Sequence, residues 1–128
     1  MKDEGMKHLN FCMMLYDIQM ESGLYFLHEH PYSASSWKQE SVERIPRKAE
    51  VKLMQGDMCA FGMWQETESG NQLVMKPIGF MTNAQCIEEE LGEKCDGSHR
   101  HVKLLNGRAS RAEVYPDELC YRILRGFD

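Results

Sequence analysis

The amino-acid sequence predicts an α/β fold with a mostly parallel sheet and flanking helices. Three observations carry that prediction. Apolar residues recur at helical spacing from Lys2 to Ser22. The run Leu24-Tyr25-Phe26-Leu27 follows and gives way to polar residues and Pro31, the pattern of a buried strand opening into a loop. A helix feeding such a strand is half of a crossover unit, which places it in a parallel sheet. With 128 residues, 42% hydrophobic and 27% charged, the chain suffices for one domain over residues 1–128 with one core.

Taken in order, the first helix carries Leu9, Cys12, Met13, Tyr16 and Met20 on one stripe, and Phe11, Leu15 and Ile18 widen it. A stripe that wide predicts burial on more than one side, and Gly23 supplies the C-terminal stop. The strand Leu24–Leu27 ends in His28-Glu29-His30-Pro31, and ligands of parallel sheets sit beyond such strand ends. Serines from Ser33 onward cap a short helix over about Trp37 to Arg44, closed by Pro46. Glu50–Met54 alternates apolar and charged residues, as near an edge. Gly56–Gly62 reads as a strand-end loop and Glu66–Gln72 as a hairpin or loop. Leu73–Met75 and Ile78–Met81 read as strands, the second moved by Pro77 to an edge or to a strand start. Asn83 caps a helix over Ala84–Leu91, stopped by Gly92. Glu93–Gly107 is loop-like. Pro116 opens a last helix with Leu119, Cys120, Ile123, Leu124 and Phe127 on its buried face.

Charge bears on partners. Fifteen Lys plus Arg stand against twenty Asp plus Glu, a net charge of -5, with only a modest basic stretch in Arg44, Arg47, Lys48 and Lys52. Proteins that grip phosphates present a basic face, so net charge gives nucleic-acid binding no support. No apolar run is long enough for a membrane span, and MKDEGMKH lacks the apolar core of a signal peptide, so a cytoplasmic or nuclear location is expected. The five cysteines, Cys12, Cys59, Cys86, Cys95 and Cys120, form no Cys-x-x-Cys pair. Without a secretion signal they read mostly as small buried hydrophobes rather than disulfide partners.

Two clusters carry chemistry. On a strand, His28 and His30 share one side about 7 Å apart while Glu29 points to the other, and such a His-x-His pair can converge on one metal ion. The bland alternative is two hydrogen-bonded histidines at a strand end. Cys95-x-x-x-His99-x-His101 offers a thiolate and two imidazoles, and with His28 or His30 folded nearby it makes a Cys/His zinc site, against a plain polar loop. Glu29 reads as an acid at a pocket mouth, able when neutral to donate to the ring nitrogen of a base, or as a carboxylate paired with Lys76 or an arginine. Dinucleotide, phosphate-loop, Gly-x-Ser-x-Gly and His-Glu-x-x-His signatures are absent from the sequence.

Six stretches line up in order: Phe26-Leu27-His28-Glu29-His30-Pro31, Ala34-Ser35-Ser36-Trp37, Asp57-Met58-Cys59-Ala60-Phe61-Gly62, Lys76-Pro77-Ile78-Gly79-Phe80-Met81-Thr82-Asn83, Cys95-Asp96-Gly97-Ser98-His99-Arg100-His101-Val102 and Val114-Tyr115-Pro116-Asp117-Glu118-Leu119-Cys120. Together they resemble the C-terminal half of a methyltransferase-like domain of retrotransposon-type polyproteins of protists such as dinoflagellates. Through it they resemble DNA cytosine methyltransferases of viral type. The resemblance covers about Leu9 to Phe127. It implies a partial Rossmann-like sheet, Glu29 as the catalytic group on a flipped cytosine, and His30, Trp37 and Lys76 as substrate-binding. His30 stands where the family has Asn, and Ile78 where it has Thr. None of the cysteines follows a proline, as the family's nucleophile does, and the family's glycine cofactor loop lies upstream of the matched region.

The resemblance therefore implies a half domain inactive alone, with S-adenosylmethionine bound only when an N-terminal half is supplied. Two other readings stand beside it. One is a small metal-dependent enzyme, such as a nuclease, on His28, His30, His99 and His101. The other is a non-catalytic interaction domain that self-associates to cover an open sheet edge.

Overall fold

The computed structural model describes residues 3–68, 70–98, 101–102 and 116–127. Helix α1 runs over Asp3–Glu21. It closes on a Schellman turn: Gly23 takes a φ of 72°, its N–H bonds to the Met20 carbonyl at 3.1 Å, and the Leu24 N–H to the Gln19 carbonyl at 2.7 Å. Strand β1 (Leu27–Pro31) leads to a 3-10 turn over Ser35–Lys38 and the one-turn helix α2 (Glu40–Glu43). Strand β2 (Lys52–Asp57) runs into a second 3-10 turn, Met58–Phe61. The hairpin β3 (Trp64–Thr67) and β4 (Gly70–Val74) precedes β5 (Pro77–Thr82) and helix α3 (Gln85–Leu91). A two-residue strand β6 (His101–Val102) and helix α4 (Asp117–Phe127) complete the described elements.

The main sheet has the order β1-β5-β2, and both ladders are antiparallel. The expected mostly parallel, Rossmann-like sheet is therefore not what forms. Among the described residues the one parallel ladder is the two-residue pairing of β4 with β6, in a second sheet ordered β3-β4-β6. The reason lies in the composition of β5. Ile78 to Thr82 is buried throughout, whereas β1 ends in exposed His30 and Pro31 and β2 begins with exposed Lys52 and Leu53. The strand apolar on both faces takes the centre and runs opposite to both neighbours. Pro77 is its first residue, where its lack of an N–H costs no ladder bond.

Alternation along β5 feeds two cores. Ile78 and Phe80 face one, built with Met58, Phe61, Met63, Val74, Ala84, Ile87, Leu91 and Leu119. Met81 faces the other, built with Leu9, Met13, Phe26, Val42, Ile45 and Val51. Trp37 lies flat on that second face because Gly79 leaves room: a Cβ there would sit 2.6 Å from the Trp37 ring. The bidentate contact of Arg44 with Asp17, at 3.0 and 2.6 Å, ties α2 to α1 and holds the Asp17 carboxyl below the usual carboxylate range.

Three local expectations are corrected. The strand expected at Leu24–Leu27 forms instead at Leu27–Pro31, and Leu24 and Tyr25 are exposed ahead of it. Asn83 does not cap α3: its Oδ1 accepts the Phe26 N–H at 3.0 Å and its amide donates to the Leu24 carbonyl, locking the entry to β1. The buried face of α4 is Leu119, Ile123 and Gly126, while Cys120, Leu124 and Phe127 are exposed. The helix is turned so that Gly126 meets α3, where a Cβ would fall 2.6 Å from the Ile87 side chain.

Candidate metal centre

Asp57, the last residue of β2, organises the neighbourhood of the second 3-10 turn. It is 5% exposed. One carboxylate oxygen accepts the Cys95 backbone N–H at 2.7 Å, and the other accepts the Gln55 side-chain amide at 2.9 Å. Its own N–H donates to the Glu93 carbonyl at 2.8 Å. The segment after α3 is thus fastened to the end of β2, and Arg122 of α4 holds Glu93 from the far side at 3.1 Å.

This clamp brings Cys95 to Cys59, the second residue of the 3-10 turn, while the β4–β6 pairing brings in His101. The Cys95 Sγ and the Cys59 Sγ each lie 3.3 Å from His101 Nε2, and all three donor atoms fall within 4.8 Å of one another. Gly97, at a φ of 75°, turns the backbone so that its N–H meets the Cys95 sulfur at 3.4 Å. Such N–H to sulfur bonds suit a thiolate, because they place a donor on its negative charge. Burial, with the Cys95 hydrogen bond next, pushes the Cys59 thiol up to about 12. A buried carboxylate beside two thiols makes this a pocket that a cation would neutralise. The three side chains form a group that could hold a metal ion.

The structure divides the histidines expected to act together. Cys95 and His101 meet. His99 lies outside the described residues. His28 and His30 are not part of the group. They stand on β1 facing α1, their rings 6.4 Å apart and nearly parallel, as strand alternation requires. The His28 Nδ1 shares a hydrogen bond of 2.8 Å with the Tyr16 hydroxyl, and its ring packs edge-on against Trp37. Burial, with a contribution from His30, lowers the His28 pKa to about 4, and burial raises Tyr16 to about 12, so both are neutral at pH 7.

His28, Glu29 and His30 border a largely apolar cleft of about 570 Å³ between α1 and β1, with His8, Cys12 and Tyr16. Trp37 stands behind it rather than in it: its indole N–H is spent on the Pro31 carbonyl at 2.9 Å. Lys76 lies in the link from β4 to β5, where its carbonyl accepts the Met58 N–H, away from the residues bordering the cleft.

Cys59 is the residue that sequence reasoning missed as a ligand. It is far from Cys95 in the chain and belongs to no short cysteine pair. The one local signal was Asp57 followed two positions later by Cys59, in a turn closed by Gly62. Comparison with protein-family models, with curated proteins and with solved structures finds no match for this chain.

Proposed function

We propose that this chain is a zinc-binding domain in which Cys59, Cys95 and His101 hold the ion and thereby fasten the stretch that follows α3 to the second sheet. The convergence of the three donors carries the reading. A tetrahedral zinc with Zn–S about 2.3 Å and Zn–N about 2.05 Å requires a sulfur-to-nitrogen edge of about 3.5 Å. Both edges here are 3.3 Å, so a small outward shift of the side chains accommodates the ion. Two thiolates and an imidazole select zinc over magnesium or calcium, which prefer oxygen donors. Asp57 and the Gly97 N–H act behind the ligands, orienting Cys95 by its backbone and its sulfur. The role favoured is structural, because β6 contributes only two residue pairs of its own and gains its anchorage from His101.

Elemental analysis of the full chain purified without chelators tests this. One equivalent of zinc, lost in both Cys59→Ser and His101→Ala, is expected; the absence of stoichiometric metal from the wild type would refute it. Structural zinc sites are closed by a fourth side chain, whereas catalytic ones keep water there. His99 precedes His101 by two positions, and His99→Ala separates the two cases.

The cleft beside β1 supports a second reading, a pocket for a planar polar ring approached by Glu29 and His30, as the cytosine-methyltransferase resemblance implies. The observation favouring it is that Glu29 sits on a strand at the border of the cleft. On this reading the isolated chain binds cytidine weakly, loses that binding in Glu29→Gln, and does not bind S-adenosylmethionine. Calorimetry with each ligand checks all three.

A further inference from the structure

Helix α1 is apolar on both sides, and the fold buries only one of them. Leu9 and Met13, with Cys12, Tyr16 and Met20, face the second core. On the opposite side Phe11, Met14, Leu15 and Ile18 are 52%, 47%, 41% and 48% exposed. A helix apolar all round belongs in an interior, so the outer stripe calls for a cover.

The spacing of the stripe specifies which cover. Positions 11, 14, 15 and 18 are symmetric about the point between Met14 and Leu15. A second copy of α1 laid antiparallel across a two-fold axis at that point sets Phe11 against Ile18 and Met14 against Leu15, in both directions at once. That is the self-complementarity an isologous dimer requires. The charges at the stripe ends select the same orientation. Lys7 and Glu21 are exposed on this side of the helix, and antiparallel pairing brings Lys7 of each copy within one residue's rise, about 1.5 Å along the axis, of Glu21 in the other. Parallel pairing would set Lys7 on Lys7 and Glu21 on Glu21. Leu24 and Tyr25, beyond the turn at Ser22 and Gly23, are exposed as well. Taking about 200 Å² for a large side chain, the four stripe residues expose on the order of 400 Å² per copy and all six on the order of 600 Å², so a pair that covers all six reaches the lower bound of specific interfaces.

We propose that the chain forms an antiparallel homodimer through the outer face of α1, with Phe11, Met14, Leu15 and Ile18 at its centre and reciprocal Lys7–Glu21 pairs at its ends. This interface is independent of the metal centre.

Sedimentation velocity of the full chain from about 1 to 100 µM, with circular dichroism to verify folding, tests it. The wild type is expected to dimerise, and Ile18→Glu to raise the dissociation constant by tenfold or more, roughly the effect of losing one central anchor. Lys7→Glu is expected to weaken the dimer by roughly three- to tenfold, and the double variant Lys7→Glu/Glu21→Lys to restore it, because the swap preserves only the antiparallel pairing. A wild type that stays monomeric to 100 µM overturns the proposal, as does a dimer indifferent to Ile18→Glu. Failure of the double variant to recover overturns the antiparallel register. Should Ile18→Glu unfold, the charge-swap set decides alone, since both of its positions are exposed.

Discussion

Replacing Cys59 by serine isolates what a metal ion contributes to this fold, because the exchange changes one atom and little volume. Cys59 is 4% exposed and its sulfur lies 3.3 Å from the His101 ring nitrogen, so a hydroxyl there keeps a polar partner. In the metal-free protein the exchange therefore costs about 1 kcal/mol. With zinc the two proteins separate. Free zinc at a hundred times its dissociation constant stabilises the folded wild type by about 2.7 kcal/mol. Unfolding entropy of about 2.1 cal/mol/K per residue, over 128 residues, converts that into a rise in Tm of about 10 °C. Differential scanning calorimetry in EDTA and in excess zinc reads both numbers. Wild type should gain about 10 °C and Cys59→Ser less than 2 °C. Equal shifts in the two proteins, or none in either, would refute the assignment of Cys59, Cys95 and His101 as the ligand set.

Other consequences are checked in the same way. His28 titrates near 4 in the folded chain against about 6.5 unfolded, so the unfolded state takes up the proton first as pH falls. Stability is full above pH 6.5 and declines toward pH 4, by on the order of 2 kcal/mol after allowing for partial solvent contact. Urea midpoints at pH 7 and pH 5 should differ for the wild type and converge for His28→Gln; an equal difference in both sinks the attribution. Gly79→Ala puts a carbon 2.6 Å from the Trp37 ring and should cost about 1–3 kcal/mol with a change in tryptophan emission, whereas unchanged emission and stability would mean the ring is free to move. Met13→Ala empties a fully buried position in the second core and should cost about 2–5 kcal/mol by chemical denaturation; less than 1 kcal/mol would show that α1 is loosely docked.

The helices α1, α3 and α4 were legible in the sequence; the first strand, read at Leu24–Leu27 but formed at Leu27–Pro31, and the sheet were not. The spacing from Leu9 to Met20 and the glycine at position 23 locate α1 within a residue at either end. Of the alternatives read there, Glu66–Gln72 forms a hairpin rather than a loop, and Pro77 starts its strand, which is central rather than at an edge. Strand direction has no local signature. A helix followed by a strand suggested parallel pairing, but β5 wins the middle place because it alone is apolar on both faces. The site shows the same division. Cys95 and His101 were visible as a cluster, since they stand six positions apart. Cys59 reaches them only through the Asp57 clamp and the β4–β6 pairing, which are long-range facts. On α4 the helical period was right and the face wrong: apolar spacing nominated Leu124 and Phe127, but close helix–helix approach selects the smallest residue, and Gly126 took the contact.

The place of β5 bears on the order in which this polypeptide acquires structure during translation. Both strands that flank it, Leu27–Pro31 and Lys52–Asp57, leave the ribosome before it does, and each lacks its hydrogen-bonding neighbour until Pro77–Thr82 emerges. Phe26, Val42, Ile45 and Val51 reach the core under α1 earlier, but that core lacks Met81 until the same late strand is made. The two outer strands thus wait, their ladder groups unpaired, for a central partner that is made after both of them, and pairing this distant along the chain forms late.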